Sequence, residues 1–325
     1  MSTITWGILG SAAIARICVI PAIQASRNGR VHAIASRSID RAQELAAEHN
    51  IPHAYDDYEA VLADPAIDAV YIPLPNHLHH PWTLRALAAG KHVLCEKPLA
   101  LNAAEAQAMA DAAQAAQRLL MEGFMYRFHP RSQHIKQLIK AGDIGHLRLI
   151  KTAFTFNLSD PDNSRYRPEM GGGALMDTGC YGVSLARWLL DAEPIAVQAQ
   201  AIYSDSGVDL TFVGTMHFEG GTLAVAEASL VSALQQTYTI VGSEGVIELP
   251  HDAFIPWEKE AVFTRRDVEA ESGTLHRLPG ADEYRLMAEH FADAVLGHTP
   301  LAFDPAESVR NMRVMDALAQ AAAER

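Results

Sequence analysis

The sequence predicts an α/β protein in two parts: a doubly wound parallel sheet, then an α+β part built on a large, mostly antiparallel open sheet. From Thr3 to about Glu122, short apolar or β-branched runs alternate with helical patterns, which specifies parallel strands joined by crossover helices. Farther on the runs lengthen and are joined by turns as short as Gly220-Gly221 and Ser243-Glu244-Gly245, which specifies hairpins. The 325 residues suffice for about two domains of ordinary size, each with its own core.

In chain order, strands are expected at Ile4 to Leu9, Val31 to Ser36, Ala69 to Pro73, His92 to Cys95 and Leu119 to Met121. Helices between them are expected near Ala13 to Ser26, Asp40 to Glu48, Pro81 to Ala89 and Ala103 to Ala116. Gly90 closes the third of these, and Pro98, which has no N–H to give a ladder, ends pairing after the fourth strand. The pattern changes near residue 123, so the division is 1–123, a dinucleotide-binding part, and 124–325, a substrate and oligomerisation part whose last helix is free to pack back on the first. A helix near Arg131 to Ala141 leads into strands at Leu147 to Asn157, Pro194 to Tyr203, Asp209 to Phe218, Thr222 to Val231, Gln236 to Val241 and Gly245 to Leu249. One helix is inserted at Ala174 to Leu190, and two more, near Asp282 to Leu296 and Pro305 to Ala323, end the chain.

Composition narrows the function. A formal net charge of −13, with no offsetting run of Lys or Arg, repels polyphosphate backbones and argues against nucleic acid as a partner. Cys18, Cys95 and Cys180 are scattered without metal-ligand or disulfide spacing. The apolar stretch Ile8 to Ile23 is interrupted by Arg16 and has no basic flank before it, and no apolar run reaches the roughly 18 residues of a membrane span. A soluble, cytoplasmic protein with neither membrane nor metal partners is expected.

Four stretches carry chemistry. The first strand ends in Gly7-Ile8-Leu9-Gly10-Ser11-Ala12-Ala13-Ile14-Ala15, where a dinucleotide pyrophosphate would meet a helix N-terminus; Gly10 keeps the turn, while Ala12 and Ala15 stand where further glycines are usual. The second strand ends Ser36-Arg37-Ser38 rather than in an acid, so a 2′-phosphate, and hence NADP over NAD, is favoured. In Pro75-Asn76-His77-Leu78-His79-His80, Asn76 is expected to touch the cofactor and His79 to order the loop, since the histidines lack a partner carboxylate or cysteine for a metal. Glu96-Lys97-Pro98 leaves a buried strand at the edge where ligands bind in parallel sheets, which points to chemistry at Lys97.

The last stretch is Gly171-Gly172-Gly173-Ala174-Leu175-Met176-Asp177-Thr178-Gly179-Cys180-Tyr181. Asp177 and Tyr181 lie four apart on an otherwise apolar helix, and a lysine beside that phenol would lower its pKa and make it an acid–base group near neutral pH. The bland alternative is a helix-capping Asp177 and a buried, bonded Tyr181.

Together with Glu122-Gly123-Phe124-Met125-Tyr126-Arg127 and His129-Pro130, these motifs resemble the glucose-fructose oxidoreductase, inositol dehydrogenase and MocA (Gfo/Idh/MocA) family over essentially the whole chain. The resemblance implies a Rossmann-like first domain and a Lys97 beside nicotinamide and substrate, with the Lys97–Pro98 bond cis. Cofactor contacts are expected from Gly10, Ala12, Ala13, Ile14, Ser36, Arg37, Pro75, Asn76, His79, Glu96 and Lys97, and substrate contacts from Arg127, Arg165, Asp177 and Tyr181. Tyr181 is similar to the tyrosine-bearing branch, with its D-xylose and dihydrodiol dehydrogenases, rather than to the histidine-bearing inositol dehydrogenases. The expectation is an NADP(H)-dependent oxidoreductase of a sugar or polyol, preferably oxidising an aldose at C1, with a ketosugar reductase, a trans-dihydrodiol dehydrogenase or a non-catalytic NADP-binding regulator as alternatives. The family also implies a homodimer or homotetramer formed through the second sheet.

Overall fold

In the computed structural model, which describes residues 2–257 and 260–324, the fully buried run Ile4–Leu9 takes the centre of the first sheet, as its unbroken apolarity requires. This strand, β1, is followed by β2 (Gly29–Ala35), β3 (His53–Tyr55), β4 (Ala69–Ile72), β5 (His92–Cys95) and β6 (Leu120–Glu122). All pair in parallel in the order β3-β2-β1-β4-β5-β6, so the winding reverses between β1 and β4. The carboxyl ends of strands at such a reversal are where this architecture binds ligands. Five of the strands lie where sequence periodicity puts them. β3 was not expected, because its three residues are polar or half-buried and are ordered only by pairing with β2. The helix Tyr58–Ala63 behind it, capped by Asp57, was missed for the same shortness.

The chain folds as two compact units, one made of the residues up to Met125 with Asp282–Met312, the other of Tyr126–Ala281 with the residues from Arg313 on. The linear division at residue 123 would place the helix Glu283–Val295 in the second part, and the structure places it in the first. Phe291 lies 5.4 Å from Trp6 of β1, ring centroid to ring centroid and tilted by 41°, and Arg27 pairs with Asp293 and Glu289. These contacts join residues more than 260 positions apart in sequence, beyond the reach of any local pattern.

The second unit is built on β7 (Leu147–Asn157), β8 (Pro194–Tyr203), β9 (Asp209–Phe218), β10 (Leu223–Ser229), β11 (Val231–Gly242), β12 (Gly245–Leu249), β13 (Ala261–Asp267) and β14 (Thr274–Leu278). Their order is β14-β13-β12-β11-β7-β10-β9-β8, antiparallel throughout except for the parallel pair β10 and β7. The last two strands escaped the sequence reading; in β13, Arg265, Arg266 and Asp267 break the alternation, and Arg265 reaches Asp143 at 2.8 Å. The helix Cys180–Leu190, buried on nearly every side, packs on β7 and β10. The opposite face of the sheet, which carries Gln200, Val213 and Glu227 on neighbouring strands, is exposed.

Candidate active site

The site is built first on the exit of β5. Cys95 is fully buried, Gly123 donates its N–H to the Cys95 carbonyl at 2.7 Å, and the next peptide bonds leave the sheet with Lys97–Pro98 cis. Two buried groups hold this exit. The Tyr71 hydroxyl on β4 donates to Glu96 Oε1 at 2.7 Å, with burial and then the Glu96 charge pushing the Tyr71 pKa well up. Glu122, 1 % exposed, accepts the Leu99 N–H at 2.9 Å, just beyond the cis bond. Lys97 itself is partly exposed.

His79 accounts for the other side of the turn. Fully buried, it sets Nδ1 at 2.8 Å from the Pro98 carbonyl and Nε2 at 2.7 Å from the Leu74 carbonyl, so one imidazole ties the lysine turn to the Pro73–Pro75 loop. The neutral ring carries one N–H, which donates to one of these two carbonyls, and the imidazole between them orders the loop. Burial holds its pKa down to about 4. Lys91, inside the same motif, serves the fold: Nζ donates to the carbonyls of Asp64 and Ile67 at 2.7 and 2.8 Å. No cluster of three or more His, Cys, Asp or Glu able to hold a metal ion occurs among the described residues.

The residues at the ends of β1 and β2 fit a dinucleotide. Gly10 adopts φ +121°, and a Cβ there would come within 2.9 Å of Leu74, so the turn needs glycine and leaves the backbone open to close approach. Ala12 is half-buried, Ala13 exposed and Ile14 half-buried; the helix begins at Ala13 with a π turn over Ala15–Val19 before the regular turns Ile20–Ala25. At the end of β2 the buried Ser36 lies 3.1 Å from Ser11, hydroxyl to hydroxyl, and Ser38 caps the helix Ile39–Glu48 through the Arg41 N–H. Arg37 between them is exposed. Pro75 and Asn76 form the short turn before the helix His79–Ala88, and both are partly exposed.

In the second unit, Asp177 and Tyr181 are brought close on one helix, which also opens with a π turn, Leu175–Gly179. Asp177 is not the cap, for the cap position is Ala174, which offers no side-chain bond. Its carboxylate lies 2.7 Å from Arg165 Nε, and this anion raises the Arg165 pKa above its ordinary value, with Tyr181 adding to the effect. The loop that carries Arg165 is held against the helix start by backbone: Gly173 and Gly172 donate to the carbonyls of Arg165 and Arg167 at 3.0 and 3.1 Å. The Tyr181 ring, 4 % exposed, sits among Phe154, Phe254 and Tyr126 at centroid distances of 5.2, 5.3 and 6.0 Å, which fixes the direction of its hydroxyl. Neither phenylalanine was singled out in the sequence.

Arg127, expected on the substrate side, is deeply buried. It is 4 % exposed and donates to the Ser184 hydroxyl at 2.8 Å, with its guanidinium 5.8 Å from the Trp188 ring. These contacts tie it to the helix Cys180–Leu190. His129 similarly caps the helix Pro130–Lys140 through the Arg131 N–H.

Residues 4–124 match the model of the oxidoreductase family with an NAD-binding Rossmann fold, and residues 132–248 match that of the GFO/IDH/MocA C-terminal domain. D-xylose 1-dehydrogenase (NADP(+)) 2 of Haloferax volcanii is 40% identical over 320 residues, covering 98% of this chain and 97% of its own. dTDP-3,4-didehydro-2,6-dideoxy-alpha-D-glucose 3-reductase of Streptomyces violaceoruber is 38% identical over 296 residues, covering 89% of this chain and 84% of its own. Among solved structures, a tyrosine-to-phenylalanine variant of KijD10, a 3-ketoreductase from Actinomadura kijaniata in complex with TDP-benzene and NADP, superposes with a TM-score of 0.93 at 30% identity over 98% of both chains.

Proposed function

Given that the chain belongs to the GFO/IDH/MocA family of oxidoreductases, we propose that it is an NADP(H)-dependent dehydrogenase of sugars or polyols that oxidises an aldose at C1. The observation that carries the reading is Tyr181, a phenol locked by aromatic packing on the helix that also holds the Asp177–Arg165 pair. Bound NADP would supply the hydride acceptor at its nicotinamide. The rest of the step belongs to the protein's own groups. Tyr181 takes the hydroxyl proton as the carbinol C–H bond breaks, Asp177 accepts hydrogen bonds from neighbouring hydroxyls, and Lys97 acts beside the nicotinamide. Glu96, Asn76 and the turn from Gly10 to Ile14 hold the cofactor, with Arg37 and Ser36 at its 2′-phosphate. The family relationship to the Haloferax enzyme supports the aldose reading, and the resemblance to the 3-reductases favours a second, reduction of a ketosugar by the same groups in reverse.

We further infer assembly into a homodimer or homotetramer through the open face of the second sheet, where Ile202, Val213 and Leu223 are exposed. The test of function is NADP+ reduction with a panel of aldoses and diols, NADPH oxidation with ketosugars, and the Tyr181→Phe variant. Removing the acid–base group is expected to lower kcat by about 10²- to 10⁴-fold. Wild-type turnover in Tyr181→Phe would remove that residue from the mechanism.

A further inference from the structure

The helix that bears Asp177 and Tyr181 lacks a capping side chain of its own. A helix start exposes four backbone N–H groups, and leaving them unmet would let its first turn move. The acceptor here comes from another element, 34 positions along the chain: Asp209, the first residue of β9, takes the Leu175 N–H on Oδ2 at 2.7 Å. Its other oxygen fills the space beside Gly173, where a Cβ would lie only 1.9 Å from Oδ1. Gly173 has φ +118°, so both its backbone and its missing side chain make room for this carboxylate. Gly173 also donates to the Arg165 carbonyl and accepts the Asp177 N–H, each at 3.0 Å. One carboxylate thus sits at the junction of the arginine loop, the glycine run and the turn carrying Asp177.

We propose that Asp209 is a positioning residue, which through the Leu175 N–H fixes the axial setting of the helix presenting Asp177 and Tyr181. Burial pushes its pKa up to about 6, while the backbone N–H groups of Leu175, Asp209 and Ala174 favour its charged form. The anchored Leu175 N–H lies two residues before Asp177. The π turn over Leu175–Gly179 then carries that setting to Tyr181, whose ring has no room to re-aim among Phe154, Phe254 and Tyr126. A shift of the helix start is therefore a shift of the phenol oxygen. The role in catalysis rests on the proposed function above; the anchoring does not.

The experiment compares Asp209→Ala and Asp209→Asn in the full chain by three readouts: amide hydrogen exchange over residues 173–181, NADPH affinity, and kcat and KM on the best sugar. Asp209→Ala is expected to speed exchange in that segment tenfold or more and to lower kcat by about 10²-fold, the cost of an ångström-scale misplacement, with NADPH affinity within twofold of wild type. Asp209→Asn keeps an oxygen that accepts the same N–H, and is expected to restore exchange and kcat to within about threefold. Unchanged exchange in Asp209→Ala, faster exchange with undiminished kcat, or an Asp209→Asn as impaired as the alanine variant overturns the proposal. Should the alanine variant fail to fold, Asp209→Glu, which keeps the charge but moves the oxygen, carries the same comparison. A wild type inactive on every sugar overturns the proposed function, and the exchange readout still decides the anchoring.

Discussion

Arg165 and Arg37 look alike in the sequence, each an arginine in a polar stretch near a glycine motif or strand end, and the structure gives them different work. Arg165 is half-exposed and bound to Asp177, so it orders a carboxylate. Replacing it by alanine removes the ion pair it makes with an 11 % exposed carboxylate. Arg165→Ala is expected to raise the sugar KM about tenfold or more while NADPH affinity stays put; a KM equal to wild type would detach Arg165 from the substrate side. Arg37, exposed at the end of β2, is free to meet a 2′-phosphate. A charge-assisted contact of about 1.5–3 kcal/mol corresponds to roughly a tenfold to hundredfold preference for NADPH over NADH. Arg37→Asp is expected to abolish that preference, as read from the two dissociation constants, and a wild type that binds both cofactors alike would refute the phosphate pocket.

Among the described residues, both π turns occur at the starts of helices that the candidate site uses, Ala15–Val19 after the glycine turn and Leu175–Gly179 before Tyr181. Such turns are rare and cluster at functional positions. Sequence periodicity assigned both segments correctly to helices and gave no sign of the wider turn, because a single inserted residue changes the hydrogen-bond ladder without changing the apolar pattern. The glycine turn shows how much an element can lose and still hold its shape. Ala12 and Ala15 replace glycines without strain, since only Gly10 occupies the positive-φ region within this turn. A methyl at that position meets both an unfavourable backbone and Leu74. Gly10→Ala is therefore expected to weaken NADPH binding by tenfold or more, about 1.4 kcal/mol, in a titration of intrinsic fluorescence; an unaltered affinity would show that the turn does not contact the dinucleotide.

For the whole molecule, buried histidines set the acid limit. His79, His92 and His129 are all held down to about 4, against an ordinary 6.5, first by burial and, for the latter two, next by Arg118 and Arg131. A group whose folded pKa is depressed contributes stability that is present above its unfolded value and lost as pH falls towards the folded one. These three therefore cost stability as pH drops from about 6.5 to about 4. Asp209, raised to about 6, works in the opposite sense, contributing most below its ordinary 3.8 and losing that contribution as pH rises through 6. Three depressed groups outweigh one raised group, so Tm is expected to fall by more than about 5 °C between pH 7 and pH 4.5. A flat Tm over that range would mean that the histidines are not neutral inside the fold.

Legible in the sequence were the two-part α/β architecture, nearly every long element, and the motifs at Gly10, Ser36-Arg37, Glu96-Lys97-Pro98 and Asp177–Tyr181. Each is written in local periodicity or in a run of adjacent residues, which chain stiffness and side-chain size convert directly into shape. Folding alone paired Arg127 with Ser184, set His79 between two backbone carbonyls, joined Arg165 to Asp177 and added Glu283–Val295 to the first unit. It also revealed Asp209 as the missing cap of the Tyr181 helix. These are pairings between groups far apart in the chain. A buried donor or acceptor must find a partner, but any of many polar residues could serve, and packing of the folded chain selects which one does.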